Sequence, residues 1–417
     1  MIYSGFVFKN KTLELAEQAL KMCHKQFEKI ESIQEYNQQK MLMAFQIAKV
    51  SESNFFASTG YGYGDRGREA LDEIYSYVFD AEDALVRHNF VCGTHALTVA
   101  LFGVLRPGDK IVCLTGKPYD TLLGVLGLGE DKCDGSLKDF GIKFDYVPLL
   151  QDGTPDYDAI NERITPDVKV LYIQRSIGYD LRPSLVNETI AKLASIGKNK
   201  APNAIVMLDN CYGEFTEYDS PLKYGVDIMA GSLIKNAGGG ISPTGGYIAG
   251  KKDLVEKCAY RLTTPGLGKE VGATLGLNRE MLMGAFNAPH VTGENLKTAV
   301  FAAAMFELMG FKVMPRYNEK RGDIIQAVIT QSEQALINFC KGIQQAAPVD
   351  SFVTPEPSDM PGYDNKIIMA AGAFTLGATS ELSADGPLRE PYAAFLQGGL
   401  NFHSAKLGIM LAADRLL

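Results

Sequence analysis

Apolar residues recur at spacings of three and four along LELAEQALKMCHKQFEKI and NQQKMLMAFQIAKV, which predicts helix over roughly the first 55 residues. The pattern then breaks at TGYGYGDRGRE, a stretch dense in glycine and charge that reads as a loop. LDEIYSYVFDA is a helix candidate after it. From about residue 84 the period shortens. ALVRH, DKIVCLTG, FDYVPLL, VKVLYIQ, AIVMLDN, DIMAGSL and GGYIAG are strand-sized, several of them almost continuously apolar, as strands buried on both faces tend to be. THALTVALFGVL, DAINERI and LVNETIAKLASIGKN lie between them with helical patterning. Such alternation predicts an α/β fold with an open, mostly parallel sheet covered by helices on both faces. Ligands of such sheets bind beyond the carboxyl ends of the strands, so chemistry is sought just after each strand.

Farther on, VTGENLKTAVFAAAMFELMGF, QSEQALINFCKGIQQAA and NFHSAKLGIMLAADRLL read as helices, and DIIQAVI and KIIMAAGAFTL as strands. This predicts a smaller C-terminal α+β domain. The expected division is an N-terminal helical segment and loop over 1–65, a large α/β domain over 66–290, and the C-terminal domain over 291–417.

Composition narrows the function classes. Lys+Arg 41 against Asp+Glu 49 gives a net charge of −8. An acidic chain lacks the cation surplus that nucleic-acid binding needs, though a local cationic pocket for a small phosphate stays open. No apolar run approaches the ~20 residues of a membrane span. The opening MIYSGFVFKN has neither the basic nor the apolar region of a signal peptide. Seven scattered cysteines, an odd number without CxxC, predict no disulfide scaffold and a reduced cytoplasm. Five histidines form no HxH or HExxH spacing, so no metal site is expected. Cys23-His24 reads as a helix-surface coincidence.

Three segments can carry chemistry. Cys92-Gly93-Thr94 opens an amphipathic helix directly after a predicted strand, where free N–H groups and the dipole suit an anion; an ordinary threonine cap is the alternative. Asp209 ends the apolar strand in AIVMLDNCYGEF, where a carboxylate can bind a ribose, hold a metal, pair with a protonated heterocyclic nitrogen, or merely cap a turn. Lys235 stands between the strand DIMAGSL and Gly238-Gly239-Gly240, with Ser232 three residues earlier. Desolvated there, its amine is expected to have a lowered pKa and to attack a carbonyl; a solvated loop lysine is the alternative. Together, an anion turn, an acid at a strand end and Ser-x-x-Lys suit pyridoxal phosphate, which needs a phosphate cradle, an acid at its ring nitrogen and a lysine for its aldehyde.

On GTHA, PYDT, LDNCYGEF, SLIKNAGGG, PTGGYIAG, ELSADGPLREPY and QGGLNF, the chain resembles fold-type I pyridoxal-phosphate enzymes of the cystathionine/methionine-lyase group. It is most similar to the bacterial branch called the methionine γ-lyase family or aluminium-resistance proteins, over roughly residues 20 to 415. The resemblance implies the aspartate-aminotransferase fold and pyridoxal 5′-phosphate as cofactor. It implies that Lys235 forms the Schiff base, Asp209 pairs with the ring nitrogen, and Tyr119 stacks on the ring. Cys92, Gly93, Thr94 and Ser232 then line the phosphate, and His95 follows that turn as a helix residue.

In relatives a Tyr-x-Arg stretch reaches the neighbouring subunit's phosphate. Here Tyr63 and Arg66 stand one residue farther apart, with Arg68 as the alternative and Tyr61 beside them toward the substrate. The substrate carboxylate is expected on Arg389, with Arg175 as a second candidate. Two departures accompany the likeness. RSIGYDLRPS, containing Arg182, replaces the Glu-Thr-Pro-x-Asn-Pro string of relatives, and Ile234 precedes the lysine where threonine is usual. The resulting expectation is a cytoplasmic carbon–sulfur lyase acting on a sulfur amino acid by β- or γ-elimination. It would be at least a homodimer and, as relatives pair two dimers, a homotetramer with shared sites, without nucleic-acid or membrane partners. The competing readings are a pyridoxal-phosphate aldolase, decarboxylase or aminotransferase, and a non-catalytic nucleotide-binding module, against which Ser232, Asp209 and Lys235 argue.

Overall fold

The structure, a computed structural model, describes residues 5–128, 134–360, 365–377 and 379–417. Cys133 and the first four residues, both used above, lie outside the described residues. The two N-terminal helical segments form one helix, Asn10–Ile47, of 38 residues. Its buried positions Leu15, Ala19, Cys23, Ile30, Met41 and Ala44 recur on one face and pack along a second long helix, Asn278–Leu308. That second helix begins well before the VTGENL segment and continues through Pro289, so the boundary expected at 290/291 falls inside it. Proline inside a helix costs about 3 kcal/mol or more. Here the helix buries residues on both sides of the proline, from Met281 to Phe306, and that burial offsets the lost hydrogen bond.

The first sheet has seven strands: β1 Asp83–Arg87, β2 Lys110–Cys113, β3 Lys143–Tyr146, β4 Val168–Gln174, β5 Ile205–Asp209, β6 Ile228–Ser232 and β7 Gly246–Gly250. Their order is β1-β7-β6-β5-β4-β2-β3. All run parallel except β7, which is antiparallel to both β1 and β6. β4, β5 and β6 are adjacent and in register, so Gln174 pairs with Asp209 and Asp209 with Ala230. Their carboxyl ends therefore open side by side at one edge of the sheet.

The second sheet is antiparallel throughout. Its strands are β8 Lys312–Met314, β9 Gln326–Ile329, β10 Ile367–Ala370, β11 Ser383–Pro387 and β12 Ala393–Gln397, in the order β10-β11-β12-β9-β8. Helices Glu333–Gln345 and Phe402–Leu416 pack together and cover it. β11 and β12 escape the pattern of the sequence: SADGP is poor in β-branched residues, and AAFLQ is a short run. Both become strands through pairing and burial, since β-propensity yields to the surrounding sheet. No helix among the described residues is long and apolar enough to cross a membrane.

Candidate active site

The carboxyl ends of β4, β5 and β6 face a cavity of about 400 Å³. Asp209, the last residue of β5, and Ser232, the last of β6, line it together with Lys235. The turn Cys92-Gly93-Thr94, at the start of helix Gly93–Val104, forms another part of the wall. Tyr119, at the start of helix Asp120–Leu126, is there as well. Residues separated by more than 140 positions thus meet around one volume. A second cavity of about 400 Å³, lined by Lys29, Glu217 and Arg321 among others, contains none of them.

Lys235 is held from several sides. Its Nζ lies 4.1 Å from the centre of the Tyr212 ring. Burial works to lower its pKa, but Cys211, Tyr212, Asp209 and Glu214 around it more than reverse this, so the ammonium is held above its ordinary value. The lowered amine expected from desolvation is therefore corrected: an acidic surround outweighs burial. The glycines after it are packed rather than loose. A Cβ on Gly238 would come 1.7 Å from the Leu233 carbonyl oxygen, and one on Gly239 2.4 Å from that of Gly284. Asn236 Nδ2 donates to the carbonyls of Tyr212 and Glu214 at 2.9 and 3.2 Å, tying the lysine's turn to the loop that follows β5. In that loop Tyr212 and Phe215 adopt left-handed φ of 67° and 60°, a conformation non-glycine residues rarely take without a local reason.

Asp209 accepts the backbone N–H of Cys211 at 3.0 Å. Burial raises its carboxyl pKa, against the pull of Lys235 and Cys211. Behind it, Glu214 accepts the Tyr247 hydroxyl at 2.9 Å, and burial pushes its carboxyl up to about 7.

The anion turn is cramped and polar. A Cβ on Gly93 would meet Cys211 Sγ at 3.0 Å and Ser232 Cβ at 3.4 Å, so only glycine leaves that space open. The first backbone bond into the helix runs from Ala96 to Cys92, which leaves the N–H groups of Gly93 and Thr94 outside the helical ladder. Ser232 Oγ is buried and has no hydrogen-bond partner among the described residues. Thr94 and Thr121 hydroxyls bond at 2.8 Å. His95 turns away from this role and accepts the Val91 N–H on Nδ1 at 3.1 Å. A half-buried amine, a carboxylate at a strand end, an orphaned hydroxyl and a glycine cradle at a helix start fit a group with a phosphate, a ring nitrogen and an aldehyde.

Other expected residues stand elsewhere. Arg175, at the end of β4, does not reach the cavity. All five of its N–H donors are used inside the protein, on Leu185 O, Asn210 Oδ1, Gly213 O, Thr216 Oγ1 and Glu217 Oε1. That correction follows from its burial, because a guanidinium removed from water must satisfy its donors locally. Arg389 is exposed and outside the cavity wall, close enough to Asp180 to pull that carboxyl's pKa down against burial. Arg182 is buried and donates to the carbonyls of Gln174, Ser176 and Pro183, holding the segment after β4.

Tyr61 and Tyr63 are 68% and 65% exposed and stacked on each other at 5.4 Å, outside their own chain's cavity. Arg66 opens helix Arg66–Val78 and is exposed. Arg68 is not its substitute: it is buried and donates to the carbonyls of Gly62, Gly272 and Glu270, fastening the tyrosine loop.

Several wall residues went unnoticed in the sequence. Gln174 accepts the Tyr119 N–H on Oε1 at 2.7 Å, which fixes the tyrosine at the cavity. Its signal was the one used for Asp209, a polar residue ending an apolar strand. Tyr179, Tyr212, Asp385 and Phe395 also line the cavity. Asp385 and Phe395 come from the second sheet, and no local pattern pointed to them.

The fold and the family match define a fold-type I pyridoxal-phosphate-dependent lyase. The chain belongs to the methionine gamma-lyase family, whose family model matches residues 12–417. It is 48% identical over 413 residues to the uncharacterized protein YnbB of Bacillus subtilis, covering 99% of this chain and 97% of that one. A carbon-sulfur lyase involved in aluminum resistance from Clostridium novyi NT has 49% sequence identity and a TM-score of 0.94, over 98% of this chain and 97% of its own. The pyridoxal-5′-phosphate-dependent protein YhfS of Escherichia coli, at 16% identity and a TM-score of 0.61 over 93% and 97% of the two chains, shares the fold.

Proposed function

We propose that the chain cleaves the carbon–sulfur bond of a sulfur amino acid by cystathionine β-lyase- or methionine γ-lyase-type elimination, with pyridoxal phosphate held by Lys235. The observation that carries this reading is the convergence of the half-buried Lys235 amine and the buried Asp209 carboxylate with the Gly93–Ser232 cradle in one cavity. The bound cofactor supplies an electron sink for the substrate's Cα.

The chain's own residues do the rest. The N–H groups of Gly93 and Thr94 and the Ser232 hydroxyl bind the phosphate. Asp209 keeps a proton on the ring nitrogen by remaining a carboxylate beside it. Tyr119, positioned by Gln174, presents a flat face to the ring. Lys235 Nζ carries the proton taken from the substrate Cα, and the surrounding wall keeps water from the reacting atoms. The net reaction consumes water and releases a thiol, ammonia and a keto acid. Incubation of the holoprotein with cystathionine, cysteine and methionine is expected to yield all three from at least one substrate. Pyruvate would mark β-elimination and 2-oxobutyrate γ-elimination. A holoprotein that forms neither thiol nor keto acid from any of them, but decarboxylates or cleaves a carbon–carbon bond of another amino acid, would place the reaction in a different class.

The same reading gives the loop carrying Tyr61, Tyr63 and Arg66 a task in a neighbouring chain. Two exposed, stacked tyrosines beside an arginine whose guanidinium makes no bond among the described residues suit a phosphate presented from outside. A twofold dimer makes two such sites at once. Mixing inactive Lys235→Ala chains with inactive Arg66→Ala chains is then expected to restore activity, since one site of each mixed dimer carries neither lesion. Demonstrated chain exchange without recovered activity would show that each site is built within a single chain.

A further inference from the structure

Asp385 lies in the middle of β11, 7% exposed, and lines the cavity from the second sheet, whereas Lys235 and Asp209 come from the first. No lysine, arginine or histidine pairs with it among the described residues; its contact is the Tyr179 hydroxyl, which donates to it. Burial pushes its carboxyl up to about 7, with the Tyr179 bond pulling the other way. A buried carboxylate without a cation is unfavourable and gains from one that arrives with a ligand.

Aromatic rings line the same cavity. The Tyr179 ring lies 5.3 Å from that of Phe395 and 6.0 Å from that of Tyr119, and all three line the same cavity. A carboxylate set among aromatic rings is a receptor for an ammonium group, which it attracts by charge and the rings by their quadrupoles. Of the described residues lining the cavity, Lys235 is the sole lysine or arginine, and the proposed function commits it to the cofactor. An arriving substrate therefore meets an acidic, aromatic wall contributed in part by the second sheet.

We propose that Asp385 is a specificity residue that receives a cationic group at the end of the substrate side chain, so that the preferred substrate is a thioether amino acid carrying a second ammonium. This rests on reading the cavity as an amino-acid site, but its test does not require carbon–sulfur cleavage. L-Ornithine and L-norleucine have side chains of the same size, one ending in an ammonium and the other in a methyl, and neither contains sulfur.

Binding of each to the holoprotein is measured by calorimetry. The wild type is expected to bind ornithine at least tenfold more tightly than norleucine. Asp385→Asn is expected to remove that preference while changing the norleucine affinity less than threefold, which also reports that the variant is folded. Tyr179→Phe, which keeps the carboxylate, is expected to retain the preference. Equal affinities in the wild type, no binding of either amino acid, or a preference that survives in Asp385→Asn would each overturn the proposal. The lyase reading is judged separately, by thiol and keto acid release. If it holds, S-(2-aminoethyl)-L-cysteine should be turned over with at least tenfold higher kcat/KM than S-propyl-L-cysteine, and Asp385→Asn should level the two.

Discussion

Lys235→Ala is expected to lower thiol release from a sulfur amino acid by at least about a thousandfold. Two contributions vanish together: the amine that anchors the cofactor, and the base that moves the Cα proton, the latter alone typically contributing about 10²–10⁴-fold. The substitution also removes the cation that pulls down the pKa of the Asp209 carboxyl, leaving a buried acid uncompensated. The cofactor should then be lost on denaturation even after borohydride treatment, which would fix it to the wild-type chain. Lys235→Arg separates charge from chemistry, because it keeps the cation but cannot form the link. It should be as inactive as Lys235→Ala. A normally coloured, active Lys235→Ala protein would sink the mechanism.

Asp209→Asn keeps the shape and the acceptor for the Cys211 N–H, so the loop after β5 should stay in place. What it removes is the negative charge at the end of β5. Removing one preorganised electrostatic partner of a developing charge costs about 10²–10³ in kcat. The loss should therefore appear in kcat, with KM within a few-fold, because the interaction matters more in the transition state than in the ground state. An unchanged kcat would mean that another group faces the ring nitrogen. A loss confined to KM would make Asp209 a binding residue only.

Legibility in the sequence followed burial and chain proximity. The seven strands of the first sheet stood out because six of them run parallel, most buried on both faces, which forces nearly continuous apolar runs. Asp209 was visible as the polar end of such a run, and Lys235 and Ser232 because they share one turn at the next strand's end. Gln174 carries the same mark, at the end of VKVLYIQ, but an amide by itself proposes no reaction. Arg175 showed the limit of strand-end reasoning. Nothing local indicates whether an arginine at that position points into the cavity or backs into the protein, where five acceptors await it.

The amino-acid order by itself determined the alternation of strands and helices, the family, and the acid and amine at neighbouring strand ends. These depend on local periodicity and on residues close together in the chain. Only the tertiary structure decided which side chains close the cavity. Asp385 reaches it because β11 is paired between β10 and β12 in a different sheet, and SADGP has no pattern that announces this. It also decided the charge state around Lys235. Desolvation is a local expectation, whereas the acidic groups that outweigh it come from the end of β5 and the loop after it, which is tied to the lysine's turn. Electrostatic energy depends on distance in space, and distance along the chain does not fix it.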